Sequence, residues 1–281
     1  MPDKRDSYYF AEAFALEGYL RRPLEQKIYP QAFVSLPAEG GYRSERADNY
    51  RLEGVISFRS AYTQVAGTKS LKAGHGMTTL ATAVVEGLNI LDVVTADRIV
   101  AQIGTDYMTD RFVPSVTFLG SRFENLRIAG HPVHLEFEPD LLGERTHGDV
   151  PYSRDKSFLA CADSQYQEIR KQPNLPEEIA ERYNRLPSSS APQGSIECSL
   201  VKHAEGSYPG RTFGHAIDVP HFGRIYLATV SLRESEPDSE SGIPTKTEIT
   251  LNMISTRMGC IGDGGTNGPV SKTNGQGKGG S

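Results

Sequence analysis

The sequence predicts a mainly β protein, an antiparallel β sandwich built from degenerate strand-kink-strand repeats and carrying a small helical insertion. Three observations point there. Apolar residues alternate with polar ones over several runs, a short string returns along the first half of the chain, and a single segment has convincing helical periodicity.

The alternation is clearest where Tyr50, Leu52, Ile56 and Phe58 take one side and Arg51, Glu53, Ser57 and Arg59 the other, which reads as one half-buried strand. Val133, Leu135 and Phe137 alternate with His134, Glu136 and Glu138 in the same way, and Ile99, Ala101 and Ile103 add a further short strand. The recurring string is apolar-Glu-Gly/Asn-apolar. It reads Leu16-Glu17-Gly18-Tyr19, Leu52-Glu53-Gly54-Val55, Val85-Glu86-Gly87-Leu88 and Phe123-Glu124-Asn125-Leu126, at intervals of 36, 33 and 38 residues. At each occurrence the Gly or Asn admits a bulge, a bend or a positive φ, so the unit is expected to be a strand, a kink and a second strand. Such units either pair as hairpins in a sandwich or stack as a β-solenoid. The uneven spacing and the irregular stretch from Leu36 to Asn49 favour the sandwich, with the solenoid as the alternative.

The organisation expected from composition is a repeat-containing β region over 1–139, an insertion with one helix over 140–212, a β hairpin over 213–261 that completes the same domain, and a flexible Gly-rich tail over 262–281. The helix is placed from Pro176 to Leu186. Pro176 suits a first turn, Glu177 and Glu178 complement the positive end of the dipole, and Ile179, Tyr183 and Leu186 form an apolar stripe for docking on the sheet. The hairpin is read from Arg224–Leu232 and Lys246–Ile254, joined by a loop bearing Glu234, Glu236, Asp238 and Glu240. That loop lacks the spaced ligands and sharp Gly turn of an EF-hand, so it is expected to be solvated rather than Ca²⁺-bound.

Apolar residues make up 37% of the 281, but 13 Tyr and 11 Phe add the bulk a core requires. A net charge of −5 gives no basic footprint for nucleic acid, and no apolar run is long enough for a membrane-spanning helix. The start, Met1-Pro2-Asp3-Lys4-Arg5-Asp6, lacks the apolar core of a signal peptide. As written, the chain is therefore expected in the cytoplasm. Cys161, Cys198 and Cys260 are too far apart for a CxxC unit and are expected as separate thiols, with one bridge and a spare thiol as the alternative.

The densest ionisable cluster is His215-Ala216-Ile217-Asp218-Val219-Pro220-His221. In a curved loop, His215, Asp218 and His221 would converge on a metal or form an Asp-oriented base; the plainer reading is a turn before the Arg224 strand. No Ser or Cys nucleophile in a GxSxG elbow accompanies them. His134 with Glu136 shares a strand face and is a weaker ligand pair, while His131 falls on the opposite face. Gly74-His75-Gly76 and Gly262-Asp263-Gly264-Gly265 do not continue as phosphate-binding loops. Tyr8, Tyr9 and Phe10 are either an aromatic platform or strand residues entering a core. No cofactor is expected.

Val85-Glu86-Gly87-Leu88-Asn89-Ile90-Leu91, followed by Val94-Thr95-Ala96-Asp97, and the stretch from Phe123 to Gly130 resemble bacterial surface proteins of the choice-of-anchor P family. The resemblance runs loosely over residues 10 to 138 and again over Phe213 to Met253, where Gly214-His215-Ala216-Ile217-Asp218-Val219-Pro220 precedes a strand. It implies an exported, β-rich protein without catalytic residues, and hence the cell surface or exterior as an alternative location. This chain departs from the pattern in showing neither an export signal nor a C-terminal anchor. The leading expectation is a non-enzymatic structural or interaction protein that self-assembles or binds a protein partner through a β-rich surface. A metal-assisted hydrolase centred on His215, Asp218 and His221, and a carbohydrate-binding module using Tyr and Phe faces, are the alternatives.

Overall fold

The computed structural model describes residues 9–22, 25–109, 113–143, 150–191, 195–235, 246–259 and 264–274. Four short strands open the chain: β1 (Ala11–Phe14), β2 (Leu16–Leu20), β3 (Gln26–Gln31) and β4 (Val34–Ser35). Four long ones follow as a meander: β5 (Gly41–Leu52), β6 (Ile56–Lys69), β7 (His75–Ile90) and β8 (Val94–Met108). Short pieces β9 (Ser115–Thr117), β10 (Arg122–Glu124) and β11 (Arg127–Ile128) then line the far side of β8, and β12 (His131–Pro132) pairs with β11, before β13 (His134–Phe137). The helices are α1 (Lys156–Arg170), α2 (Glu177–Arg182) and α3 (Pro187–Ser190). The chain returns to strands with β14 (Ser195–Ser199), β15 (Val201–Glu205), β16 (Arg211–Phe213), β17 (Ala216–Val219), β18 (Gly223–Glu234), β19 (Thr247–Met258) and β20 (Gly264–Asn274).

Pairing is antiparallel throughout the described residues. The first sheet runs β16-β17-β18-β19-β20-β1-β4, with β14 against β18 and β2 and β3 continuing from β20; the second runs β12-β11-β8-β7-β6-β5. They pack face to face around one apolar core. Ile225, Leu227, Leu232, Ile249 and Leu251 come from the first sheet, and Ile56, Phe58, Val65, Val85, Ile99 and Ile103 from the second. The protein is thus a mainly β, antiparallel sandwich with a small helical layer, as its periodicity indicates. No helix among the described residues is long and apolar enough to cross a membrane.

Tyr50–Phe58 is not one strand but two. Glu53 and Gly54 both take positive φ, 46° and 70°, and turn the chain so that Leu52 pairs with Ile56 and Tyr50 stacks on Phe58 with ring centroids 5.1 Å apart. The turn leaves three residues, Glu53 to Val55, between the paired Leu52 and Ile56, so facing residues keep the same parity and the alternation continues unbroken through it. The other recurring strings also mark irregularities: Gly87, φ 65°, interrupts β7, Asn125, φ 53°, separates β10 from β11, and Leu16–Gly18 carries a register shift in β2. They share a local kink, while the strands around them differ in length and pairing.

The expected 140–212 insertion begins with α1. Asp155 caps it, accepting from the Ser157 and Phe158 amides at 3.0 and 3.2 Å, and Phe158, Ala162, Tyr166 and Ile169 form its buried stripe. The expected helix from Pro176 resolves into α2 and α3. Ile179 and Tyr183 are buried as a stripe on the outer face of the first sheet, with Tyr166, Ile169, Phe213, Ala216 and Tyr226, and Leu186 packs against them. The insertion does not stay separate from the sheets, because β14 pairs with β18 and β15 with β13.

The flexible tail expected over 262–281 needs correction for its described part. Gly264–Asn274 is β20, the strand that joins β19 to both β1 and β2. Its small residues permit close approach: a Cβ at Gly264 would lie 2.4 Å from the Tyr19 carbonyl oxygen. Its hydroxyls are bonded inside the core. Thr273 lies 2.7 Å from the Thr79 hydroxyl, and Ser271 donates to the Ala101 carbonyl at 3.0 Å, so β20 ties the first sheet to the second. Residues 275–281 lie outside the described residues, as do Cys260, Tyr8 and 236–245 of the acidic loop. Glu234, expected in that loop, is buried at the end of β18 and accepts from the Tyr152 and Ser153 amides at 2.9 and 3.0 Å.

A chain ending at residue 263 is therefore expected to lose the cooperative fold rather than shed a tail. Circular dichroism melting is the check; a cooperative transition within a few degrees of the full-length protein would contradict the role assigned to β20.

Candidate functional site

The helices cover only the β14–β17–β18 half of the first sheet's outer face. Beyond them the sheet lies open, and alternation turns two rows of residues to this outer face, the first starting beneath the helices at the buried Ala216 and Tyr226. One row runs Ala216, Tyr226, Ser255, Asn267, Glu17; the next runs Asp218, Arg224, Arg257, Gly265, Tyr19. With α2 as one wall, these rows make a groove in two adjoining lobes of about 430 and about 520 Å³, both touching Tyr19, Arg257 and Gly265.

Basic groups predominate along the groove. Arg21, Lys27, Arg182, Arg224 and Arg257 line it against Glu17 and Glu178. Arg224 and Arg257 are cross-strand neighbours, an arrangement of like charges that requires an anion between them. Glu178 on α2 supplies it, accepting from Arg257 Nη1 at 3.2 Å and pairing with Arg224 Nη1 at 2.9 Å; Asp218 lies 3.2 Å from Arg224 Nε. One turn further along α2, Arg182 stacks 4.0 Å over the buried ring of Tyr226 and pairs with Glu197. Burial opposes the charge on Arg182, but the Glu197 carboxylate together with Tyr183 and Tyr226 more than offsets it, so the guanidinium stays charged. The Tyr226 hydroxyl has no hydrogen-bond partner among the described residues.

The groove was not visible as a motif, because its residues come from β2, β3, α2, β18, β19 and β20. Of the expected site residues, only Asp218 reaches its margin. His215 is buried 2.8 Å from the Tyr183 hydroxyl, and His221 is exposed in the turn before β18 with φ 64°. The three do not converge, which corrects the metal-site expectation: extended chain separates His215 from Asp218 by roughly 10 Å, and each of these two is engaged by a different partner. Among the described residues no group of three or more His, Cys, Asp or Glu is placed to hold a metal ion. His134 and Glu136 are exposed on β13, where Glu136 pairs with Lys202 at 3.6 Å.

Other expected features are also accounted for locally. Cys161 and Cys198 are free thiols, the latter buried. Tyr9 packs against the core, and Lys246 sits over the Phe10 ring at 5.8 Å. Tyr29 and Tyr42, 68% and 57% exposed, belong to different sheets and so form no common aromatic face. His75, within the Gly74-His75-Gly76 string, pairs with Asp106, a contact between β7 and β8 that its sequence context did not disclose.

The buried His215 gives a pH test of the helical layer. Desolvation, and secondly Arg182, push its pKa from 6.5 down to about 3. Between those values the unfolded chain binds a proton that the folded chain does not, so stability decreases as the pH is lowered, by about 1.4 kcal/mol per unit. His215→Gln removes this dependence. The difference in unfolding free energy between the native protein and this variant should narrow by that amount per unit below about pH 6; a constant difference in urea titrations would refute the assignment.

No curated protein and no solved structure matches the chain. Residues 7–233 match a family model, a span that includes β1 to most of β18 and stops before β19 and β20. By that match the chain belongs to the family described as Domain of unknown function (DUF8256).

Proposed function

We propose that the protein is a non-catalytic interaction protein whose partner lays a carboxylate-bearing segment in the groove between α2 and the outer face of the first sheet. The observation that carries this reading is the contrast of charge: a chain of net charge −5 gathers five basic side chains against two acidic ones along one groove. Arg224 and Arg257 already converge on one carboxylate, that of Glu178. An acidic side chain of a partner offers them the same group. Guanidinium forks bind carboxylates with charge-assisted, directional hydrogen bonds, and open grooves of this charge steer acidic partners at low salt. A surface role of this kind agrees with what the resemblance to choice-of-anchor P proteins implies.

A fluorescein-labelled oligoglutamate peptide, titrated with the full chain and followed by anisotropy, tests the proposal. Saturable binding is expected at low salt, weakening as salt rises. Arg257→Glu should weaken it about tenfold or more, since it replaces attraction with repulsion at an exposed position. Arg127→Glu, on β11 of the other sheet, makes the same charge change and should leave binding nearly unaltered. No binding at low salt, or equal losses in both variants, would sink the proposal.

A further inference from the structure

The second sheet ends in β5, which pairs with β6 alone among the described residues. It is 12 residues long, contains no proline, and is exposed at every position from Gly41 to Arg46. Its outer edge therefore presents a row of main-chain donors and acceptors of the kind that another strand completes. Single-sign charge would repel a second copy in every register. Here the signs are mixed, with Arg43, Glu45, Arg46 and Asp48 in sequence, so some registers are repelled and others attracted.

Symmetry limits the choice. Two copies of one strand paired antiparallel about a two-fold axis must place same-face residues opposite each other, so the axis passes through a residue facing its own copy. Centring on Arg43, Glu45, Arg46 or Asp48 sets like charges together at the axis. Centring on Ala47 sets Arg43 against Arg51 of the partner subunit, and extends the pairing past Asn49, where φ of 54° breaks the regular strand. Centring on Ser44 avoids all of these. Arg43 then faces Glu45 of the partner subunit, and Tyr42 faces Arg46 of the partner subunit, each contact made twice.

The local geometry leaves these groups placed for such contacts. Arg46 is braced by Asp48 at 2.9 Å on the same face, in position to lie over a tyrosine ring, and Arg43 rests on its neighbour's carbonyl at 3.2 Å. We infer that the protein forms a two-fold homodimer through β5, with Ser44 facing Ser44 of the partner subunit and the two second sheets joined edge to edge. This interface lies on the sheet that does not carry the arginine groove, so it stands or falls independently of the function proposed above.

Three measurements test it on the full chain with Cys161→Ser and Cys260→Ser. Sedimentation velocity should show a concentration-dependent dimer. Arg43→Glu and Glu45→Arg, each creating two like-charge pairs, should each raise the dimer dissociation constant about tenfold, and the double variant Arg43→Glu/Glu45→Arg should restore it to within a few-fold. Ser44→Cys should cross-link rapidly under mild oxidation, because facing residues of paired strands lie within disulfide range, whereas Ala47→Cys should not. A monomer at all concentrations, cross-linking at 47 in place of 44, or failure of the double variant to restore the dimer would each overturn the inference. Positions 43, 44 and 45 are exposed on the edge strand and Ala47 is half-buried there, and retained melting temperatures will show that the variants fold.

Discussion

The structure depends on satisfying hydroxyl groups inside an otherwise apolar core. Thr79, Thr105 and Thr273 are each buried, and their hydroxyls meet between the sheets; Thr256 and Thr266 share a further bond of 2.8 Å across β19 and β20. A buried hydroxyl left without a partner costs about 1–3 kcal/mol, so each bonded pair penalises any slip that would separate it. Because Thr273 and Ser271 bond to residues of the opposite sheet, the register of β20 is tied to that of β7 and β8. A purely apolar interface would slide more cheaply than this one.

The groove follows from that placement. With β20 held in the sheet by its core-facing residues, Gly265 and Asn267 face outward beside Arg257, Ser255 and Tyr19. Gly264 and Gly265 contribute no side chain, which leaves room between the arginines and Tyr19. The helical layer then sets the wall. Ile179 and Tyr183 anchor α2 over β17 and β18, which carries Glu178 and Arg182 to the groove's margin. The same cluster explains why His215 is unsuited to metal or proton chemistry: it is enclosed by the layer that builds the groove.

The strand periodicity made the fold class legible, whereas turns and ends were harder to see. Residue parity hid the Glu53–Gly54 turn, since Leu52 and Ile56 stay on one face whether the chain turns or runs on. The sequence over 264–274 resembled a linker because Gly, Ser, Asn and Thr are shared by flexible segments and by strands packed close against their neighbours; the choice between them is made by partners far away in the chain. Helix α1 does not stand out in the sequence because polar residues surround its stripe, although Asp155 is a readable cap. The groove was illegible for a different reason. Arg182, Arg224 and Arg257 have no common spacing, and only the pairing of β18 with β19 and the docking of α2 bring them together.

The two surfaces are also separated by the sandwich itself. The arginine groove opens on the outer face of the first sheet, while β5 terminates the second. The pairing inferred through β5 would leave the groove uncovered, and its two-fold axis would give the assembly two grooves. Each groove offers shallow, ionic contacts that salt screens, so one site alone would hold the proposed partner weakly. Two sites on one assembly make the second contact intramolecular for any partner able to span them, with gains of 10²–10⁴ typical of bivalency. On the two proposals together, self-association and partner binding would be coupled through geometry without any conformational change: weak individual sites would become effective once the edge strand brings two together.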